Sequence, residues 1–432
     1  GQETMQQQEK SEQTQIQEQF EAVVQSTYAR YPVTISRGRG CELFDDVNGR
    51  TYLDFVAGIA TCCLGHADDR LVEAVATQMR AVTHVSNLYY IPQQAELAAW
   101  LARSLGRTSG NKKFRAFFCN SGGEANEAAL KLAFKYAALN REKDTEEPWV
   151  VLTAHGSFHG RTMATISATA QPKYHGPDGV WRVNDRFAHF DFNDVDSARE
   201  AFKTYRGRVA AVLIEPVQGE GGVRVGDASF FKTLRELCDA EGALLMFDEV
   251  QAGVGRTGKT WAHEHFGPEV APDVLTAAKA IGGGVPLGAM LCATHCDVFA
   301  PGDHATTYGG NPLACAAGLA VTKALDDDGL VQNAADRGAQ LKAGLDRLVA
   351  DHADLFNEAR GLGLLLGLEL KPPHKAADLV RLCADEGLLL VPAGPHVVRF
   401  VPPLVVSDLH VDAALDVLET AIARFRTTLR PG

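Results

Sequence analysis

The chain has 432 residues, 46% of them hydrophobic, and a net charge of −12, which is enough length for two or three domains around a large core. That acidity argues against nonspecific binding to nucleic acid or anionic membranes, and no apolar run approaches the ~20 residues of a membrane span. The cysteines number 9, an odd count, and include the adjacent pair Cys62 and Cys63; this suits a reducing compartment rather than a disulfide framework. Cys292, His295 and Cys296 lack the second ligand pair that a zinc site needs, so no metal is expected.

Residues 1–19 are rich in Gln and Glu and nearly devoid of apolar side chains. They cannot bury a face and are expected to be disordered or a frayed helix. The first residue is Gly rather than Met, as expected after loss of an upstream targeting segment or from a tag remnant. A helical pattern covers 20–28, and short strands follow, ending in a hairpin over 43–55 with turn chemistry at 46–49. A small-residue loop spans 58–66. Helical periodicity returns at 71–79 and 93–105.

From there apolar strands alternate with helices. A strand at 114–118 ends in Cys119, Asn120, Ser121, Gly122 and Gly123, and a helix follows over 124–139. Such a turn offers free N–H groups and a helix dipole to a phosphate; an ordinary N-cap by Ser121 explains the same residues. The strand at 149–154 leads to Phe158, which could stack on a planar cofactor, and Arg161, which could fork onto a carboxylate. The strand at 209–214 leads to Glu215 and the run QGEGG at 218–222, and a helix covers 230–241. This alternation predicts a parallel α/β sheet.

The stretch 243–288 organises the rest. Its first apolar run delivers Asp248 and Glu249, and its second delivers Lys279, followed by Gly282, Gly283 and Gly284. Functional groups of open α/β sheets collect at the carboxyl ends of strands. An Asp and a Lys presented at one edge make either a salt bridge or a Schiff-base site, where a partly desolvated lysine attacks an aldehyde. A pyridoxal ring also needs an anion beside its nitrogen. The intervening GVGRTGKT at 253–260 matches a nucleotide phosphate loop. However, Asp248 and Glu249 lie just before it, where they would repel phosphate, and both motifs fall on one strand rather than two. A P-loop nucleotide hydrolase is therefore the alternative of another class.

Thr306 and Thr307, in a glycine turn, could donate to a phosphate. A long helical region covers 313–350. A strand at 362–370, a helix at 374–386, strands at 388–392 and 396–403 and a helix at 408–426 suggest a separate small α+β domain.

Taken in order, HVSNLYY, NSGGEANEAALK, SFHGRT, EPVQGEGG, FDEVQAGVGRTGK, AKAIGGG, TTYGGNP and RFVPPL resemble the class III pyridoxal-phosphate-dependent aminotransferases. The resemblance runs from about residue 28 to the C-terminal helix. It implies fold type I: an α/β protein with a large, mostly parallel sheet domain and a smaller α+β domain built from both chain ends. The expected divisions are 1–19 as a tail, 20–75 as the N-terminal part of the small domain, 76–325 as the large domain and 326–432 as the C-terminal small domain.

The resemblance also implies pyridoxal 5'-phosphate as cofactor and a homodimer with shared active sites, with no nucleic-acid or membrane partner. Lys279 matches the Schiff-base lysine, Asp248 the partner of the ring nitrogen, and Gln251 the neighbour of the ring hydroxyl. Ser121, Gly122 and Gly123 match the phosphate cup, Thr307 a phosphate contact given to the other subunit, and Phe158 the stacking position. Arg161 and Arg399 match two carboxylate-binding arginines, and Glu220 the carboxylate that masks Arg399. The implied reaction moves the δ-amino group of N-acetylornithine to 2-oxoglutarate, giving N-acetylglutamate 5-semialdehyde and glutamate in arginine biosynthesis. Ornithine, succinylornithine and 4-aminobutyrate are the alternative amino donors. The implied compartment is plastid stroma or cytoplasm. Departures from the family pattern at Gly123, at Cys62 and Cys63 and at Ala305 bear on substrate preference rather than on reaction class.

Overall fold

The computed structural model describes residues 11–182 and 185–429. Its first element is a helix over Glu12–Val23, N-capped by the Ser11 hydroxyl, which accepts from the Thr14 N–H at 3.2 Å. The Gln-rich start is thus helical from Glu12 and ends before most of the expected 20–28 stretch, while residues 1–10 lie outside the described residues. None of this helix is buried, in keeping with its composition. Gln13 ties it down, accepting from the Thr34 hydroxyl at 2.5 Å and the Asn48 amide at 3.0 Å.

Strands β1 (Arg37–Arg39), β2 (Glu42–Asp45) and β3 (Arg50–Asp54) form an antiparallel meander that includes the expected hairpin. The loop after β3 is strained: Ala57, Ile59 and Ala60 have φ of 50°, 64° and 59°, a region that costs a non-glycine residue about 1–3 kcal/mol. Asp54 holds this loop. Its Oδ1 accepts from the Val56 and Ala57 N–H groups, and its Oδ2 meets His66 Nε2 at 2.7 Å.

The Asp54 hydrogen bond, aided by Cys62, raises the His66 pKa to about 9. The folded value lies above the ordinary 6.5, so the pair's contribution is complete below pH 6.5 and is lost as pH rises through about 9. We expect the stability from urea titrations to fall by on the order of 1 kcal/mol across this window, after screening by solvent at a partly exposed imidazole. The His66→Gln variant should show a flatter pH dependence; an equal slope in both proteins would refute the linkage.

The main sheet is built from β4 (Phe114–Cys119), β5 (Val150–Ala154), β6 (Phe187–Phe190), β7 (Val209–Ile214), β10 (Leu244–Asp248), β11 (Val274–Ala277) and β12 (Gly288–Ala293). Between β7 and β10 lies a small hairpin of β8 (Val217–Gln218) and β9 (Arg224–Val225). The main sheet runs β4-β12-β11-β10-β7-β5-β6, and only β12 is antiparallel to its neighbours. Strands β5, β7, β10, β11 and β12 are buried along their whole length. That is why they read as continuous apolar runs rather than alternating ones. Fully burying each large side chain contributes roughly 1.5–3 kcal/mol. The carboxyl ends of β4, β5, β7, β10 and β11 therefore share one edge.

The C-terminal part differs from expectation in two places. The helical region at 313–350 is two helices, Pro312–Asp327 and Leu330–Asp351, broken at Gly329, where φ is 63°. The strand expected at 362–370 is the second arm of a hairpin, β13 (Phe356–Leu362) with β14 (Leu365–Leu370). Strands β15 (Leu388–Leu389), β16 (Val391–Pro392) and β17 (Val397–Phe400) follow, and β17 pairs with both β14 and β16. Strand β15 runs parallel to β3, so the two chain ends share a sheet. Among the described residues no helix is long and apolar enough to cross a membrane.

Candidate active site

A cavity of about 420 Å³ opens at the carboxyl edge of the main sheet. Its lining includes Ser121, Gly122 and Gly123, then Phe158, Asp248, Gln251 and Lys279. The strand-ends logic thus brings together seven of the residues singled out from sequence, supplied by the ends of β4, β5, β10 and β11.

Asp248 closes β10 and is buried. Its Oδ2 accepts from Asn126 Nδ2 and pairs with His159 Nδ1, both at 2.8 Å, while Oδ1 accepts the Val250 N–H at 3.0 Å. Asn126 is itself oriented, because its Oδ1 accepts from the Thr276 hydroxyl at 2.7 Å. One helix residue therefore links the acid to the neighbouring strand β11. These donors hold a fully buried carboxylate ready to face a cation. Glu249, the adjacent acid, turns the other way: it accepts from the His263 N–H and pairs with His263 Nδ1, at 2.9 and 2.8 Å. At the end of β7, Glu215 is buried beside Asp248; desolvation first, then the Asp248 charge, pushes its pKa well above the usual carboxylate range.

Lys279 follows β11 with φ of 46°, a left-handed conformation that a non-glycine residue adopts only under constraint. Its Nζ donates to the Ile59 carbonyl at 3.3 Å, so the strained loop after β3 reaches the lysine. Burial lowers the Lys279 pKa to about 8, with Glu220 acting in the opposite direction. Near neutral pH a substantial share of the amine is then unprotonated, against roughly one part in a thousand for an ordinary lysine.

The turn at Ser121 is a helix N-terminus, with the first N–H groups at Gly122 and Gly123. A Cβ on Gly122 would lie 2.6 Å from Val250 Cγ1, whereas one on Gly123 would meet nothing nearer than 3.9 Å. Gly122 is thus needed for close packing and Gly123 is not. Ser121 also acts as the ordinary cap: its Oγ accepts from the Glu124 N–H at 3.2 Å and donates to Glu124 Oε2 at 2.9 Å.

Arg399 is buried, and its Nη1 donates to Glu220 Oε1 at 2.8 Å and to Gln251 Oε1 at 2.9 Å. The Arg399 charge, with help from Lys279, outweighs burial and keeps the Glu220 carboxyl below its usual pKa. Four expected site residues lie outside the cavity lining: Arg399 and Glu220, which reach it only through Gln251, and Arg161 and Thr307. Arg161 is exposed, its guanidinium 4.2 Å from the Tyr174 ring and 5.5 Å from the Phe158 ring. Thr307 is exposed in the turn before the helix Pro312–Asp327.

Sequence reasoning passed over Asn126, His159, Glu215 and Thr276 as site residues. His159, Asn126 and Glu215 lay inside the quoted motifs SFHGRT, NSGGEANEAALK and EPVQGEGG, and nothing local marked Thr276; their roles arise from contacts across distant segments.

The phosphate-loop alternative fails on geometry. Arg256 and Thr257 within 253–260 are buried, Arg256 donating to the Leu364 carbonyl at 3.0 Å, and the loop opens no α-helix. Among the described residues, no three His, Cys, Asp or Glu side chains are grouped to hold a metal ion.

The cavity suits a planar cationic ring with an anionic tail. It has a carboxylate on one side, an aromatic wall at Phe158, an amine of lowered pKa and a helix N-terminus at its rim. The sequence matches the family model for aminotransferase class-III over residues 23–422. It is 53% identical over 410 residues to an acetylornithine aminotransferase of Thermosynechococcus vestitus, covering 94% of this chain and 96% of that one. It is similar to the crystal structure of N-acetylornithine aminotransferase from Stenotrophomonas maltophilia, with 38% identity, a TM-score of 0.77 and coverage of 93% and 98%. It also matches an ornithine aminotransferase of Toxoplasma gondii whose active site holds pyridoxal phosphate at partial occupancy, with 31% identity, a TM-score of 0.88 and coverage of 97% and 96%. The chain belongs to the class III aminotransferases, fold type I enzymes that use pyridoxal 5'-phosphate.

Proposed function

We propose that this enzyme transfers the δ-amino group of N-acetylornithine to 2-oxoglutarate, giving N-acetylglutamate 5-semialdehyde and glutamate in arginine biosynthesis. The observation that carries the reading is the meeting of Lys279, Asp248 and Gln251 at one cavity, with Arg399 and Glu220 hydrogen-bonded behind Gln251. The high identity to a relative named acetylornithine aminotransferase supports the choice of donor. Ornithine, succinylornithine and 4-aminobutyrate remain the alternative donors.

Bound pyridoxal phosphate supplies an electron sink through its protonated ring. Asp248 would face the ring nitrogen as its counter-anion, Phe158 would pack on the ring, Gln251 would neighbour the ring hydroxyl, and Ser121, Gly122 and Gly123 would hold the phosphate. Lys279 would hold the cofactor through its neutral amine and, once displaced by the substrate amine, would be free to move a proton at the substrate's amine-bearing carbon. Arg161 holds the substrate carboxylate far from the reacting carbon, and its stacking on Tyr174 supports a fixed guanidinium.

Arg399 and Glu220 account for two substrates in one site. With N-acetylornithine entering amine-first, Glu220 neutralises Arg399. With glutamate, the α-carboxylate displaces Glu220 and takes the guanidinium. A buried charge left unpaired would cost several kcal/mol, which favours a carboxylate that moves. Glu220→Ala is expected to raise the ratio of α-amino to ω-amino turnover by about tenfold or more; parallel assays with glutamate and N-acetylornithine measure it, and an unchanged ratio argues against the pair's role.

On the same reading the enzyme is a homodimer in which Thr307 contacts the phosphate of the partner subunit. Exposed Leu88, Tyr89, Tyr90 and Tyr308 support a surface that another chain covers. The small domain then comprises 20–75 and 326–432 and the large domain 76–325, a division supported by the pairing of β3 with β15. The compartment is a reducing one, either cytoplasm or plastid stroma, in keeping with nine free cysteines.

The deciding experiment is a donor panel of N-acetylornithine, ornithine, succinylornithine and 4-aminobutyrate with 2-oxoglutarate. N-acetylornithine should give the highest kcat/KM; any other donor exceeding it overturns the assignment.

A further inference from the structure

Arg399 is held by two side chains of different character. Glu220 sits in the glycine-rich turn between β8 and β9, and its side chain is 20% exposed. Gln251 packs against the same turn on one side and faces the cavity on the other. A Cβ on Gly219 would lie 2.2 Å from Gln251 Oε1, 2.4 Å from Cδ and 2.6 Å from Nε2, so the amide rests directly on the Gly219 backbone. The guanidinium has few other partners: Nη2 reaches the Pro392 carbonyl at 3.4 Å, and Nε has none among the described residues. If Glu220 were the sole side-chain acceptor, its departure would leave a buried arginine free to change rotamer. A neutral amide satisfies a hydrogen bond without cancelling the charge.

Resting on the dual-substrate reading above, we propose that Gln251 is a specificity-determining positioning residue: an uncharged acceptor that keeps Arg399 aimed and cationic when Glu220 leaves, so that an α-carboxylate can bind. The division of labour is between an anion, which masks the charge, and a neutral amide, which helps fix its direction. A carboxylate at 251 would place an anion within hydrogen-bond distance of Arg399.

The test uses the holoenzyme and three variants: Gln251→Glu, Glu220→Gln, and the exchange Glu220→Gln/Gln251→Glu, which preserves total charge. Two quantities are read: the Kd of glutarate by calorimetry, and single-turnover rates with glutamate and N-acetylornithine. Gln251→Glu is expected to weaken glutarate binding by at least about tenfold and to lower the glutamate to N-acetylornithine rate ratio by a similar factor. The exchange variant should remain poor with glutamate, since the carboxylate at 251 then competes with the substrate carboxylate for Arg399. A wild-type glutarate Kd in Gln251→Glu, or a wild-type rate ratio in the exchange variant, would overturn the proposal. If Gln251→Glu does not fold with cofactor bound, the exchange variant alone decides. Failure of Glu220→Gln to raise the glutamate ratio would sink the dual-substrate reading instead, leaving the glutarate measurement to judge Gln251.

Discussion

Replacing Lys279 with Ala is expected to reduce turnover by on the order of a thousandfold or more, equivalent to more than about 4 kcal/mol of barrier. Two functions are lost together. The neutral amine that burial favours, with its pKa near 8, is gone, and no other amine lines the cavity among the described residues. The proton carrier between substrate and cofactor is lost with it. The fold should survive, because Lys279 Nζ makes a single 3.3 Å hydrogen bond to the Ile59 carbonyl. Steady-state assays, the visible absorbance of the bound cofactor and circular dichroism together check this. Retained turnover in a folded variant would refute the role of the lysine.

Asp248→Asn carries the second large effect. The substitution keeps the side-chain shape and removes the charge. The site then holds a neutral amide where Asn126 and His159 now meet a carboxylate at 2.8 Å. The ring proton loses its counter-anion in a buried setting. We expect kcat to fall by roughly a hundredfold to a thousandfold, about 3–4 kcal/mol. Cofactor affinity should weaken as well, measured by dialysis against graded pyridoxal phosphate. A kcat within tenfold of wild type would mean that the carboxylate is structural rather than electronic. Asp248→Ala separates the two: it should also lower the melting temperature, because Asn126 and His159 lose their partner in the interior.

Lys279 and Asp248 were legible in the sequence because each terminates a short apolar run bounded by turn residues, and strand ends of an α/β sheet share an edge. Ser121 to Gly123 were legible for a related reason, a strand running straight into a helix. The network around Asp248 was not. Asn126 lies 122 residues away in sequence, near the start of a helix, and only the fold brings it to the acid. Arg161 was recognised by motif, yet its exposed position on Tyr174 depends on a loop conformation that no local pattern encodes. In the C-terminal part the apolar run at 362–370 was visible, but its partner β13 begins with FNEAR, too polar to read as a strand. The break at Gly329 was hidden because both flanking helices carry the same periodicity.

The chain from Thr276 through Asn126 to Asp248 has a practical consequence for protein engineering. Because the acid's orientation depends jointly on a helix and on a neighbouring strand, directed evolution by single substitutions at 126 or 276 will mostly sample broken hydrogen bonds and inactive clones. Paired libraries at those two positions offer a way to retune the electron demand of the site while the acid itself stays fixed.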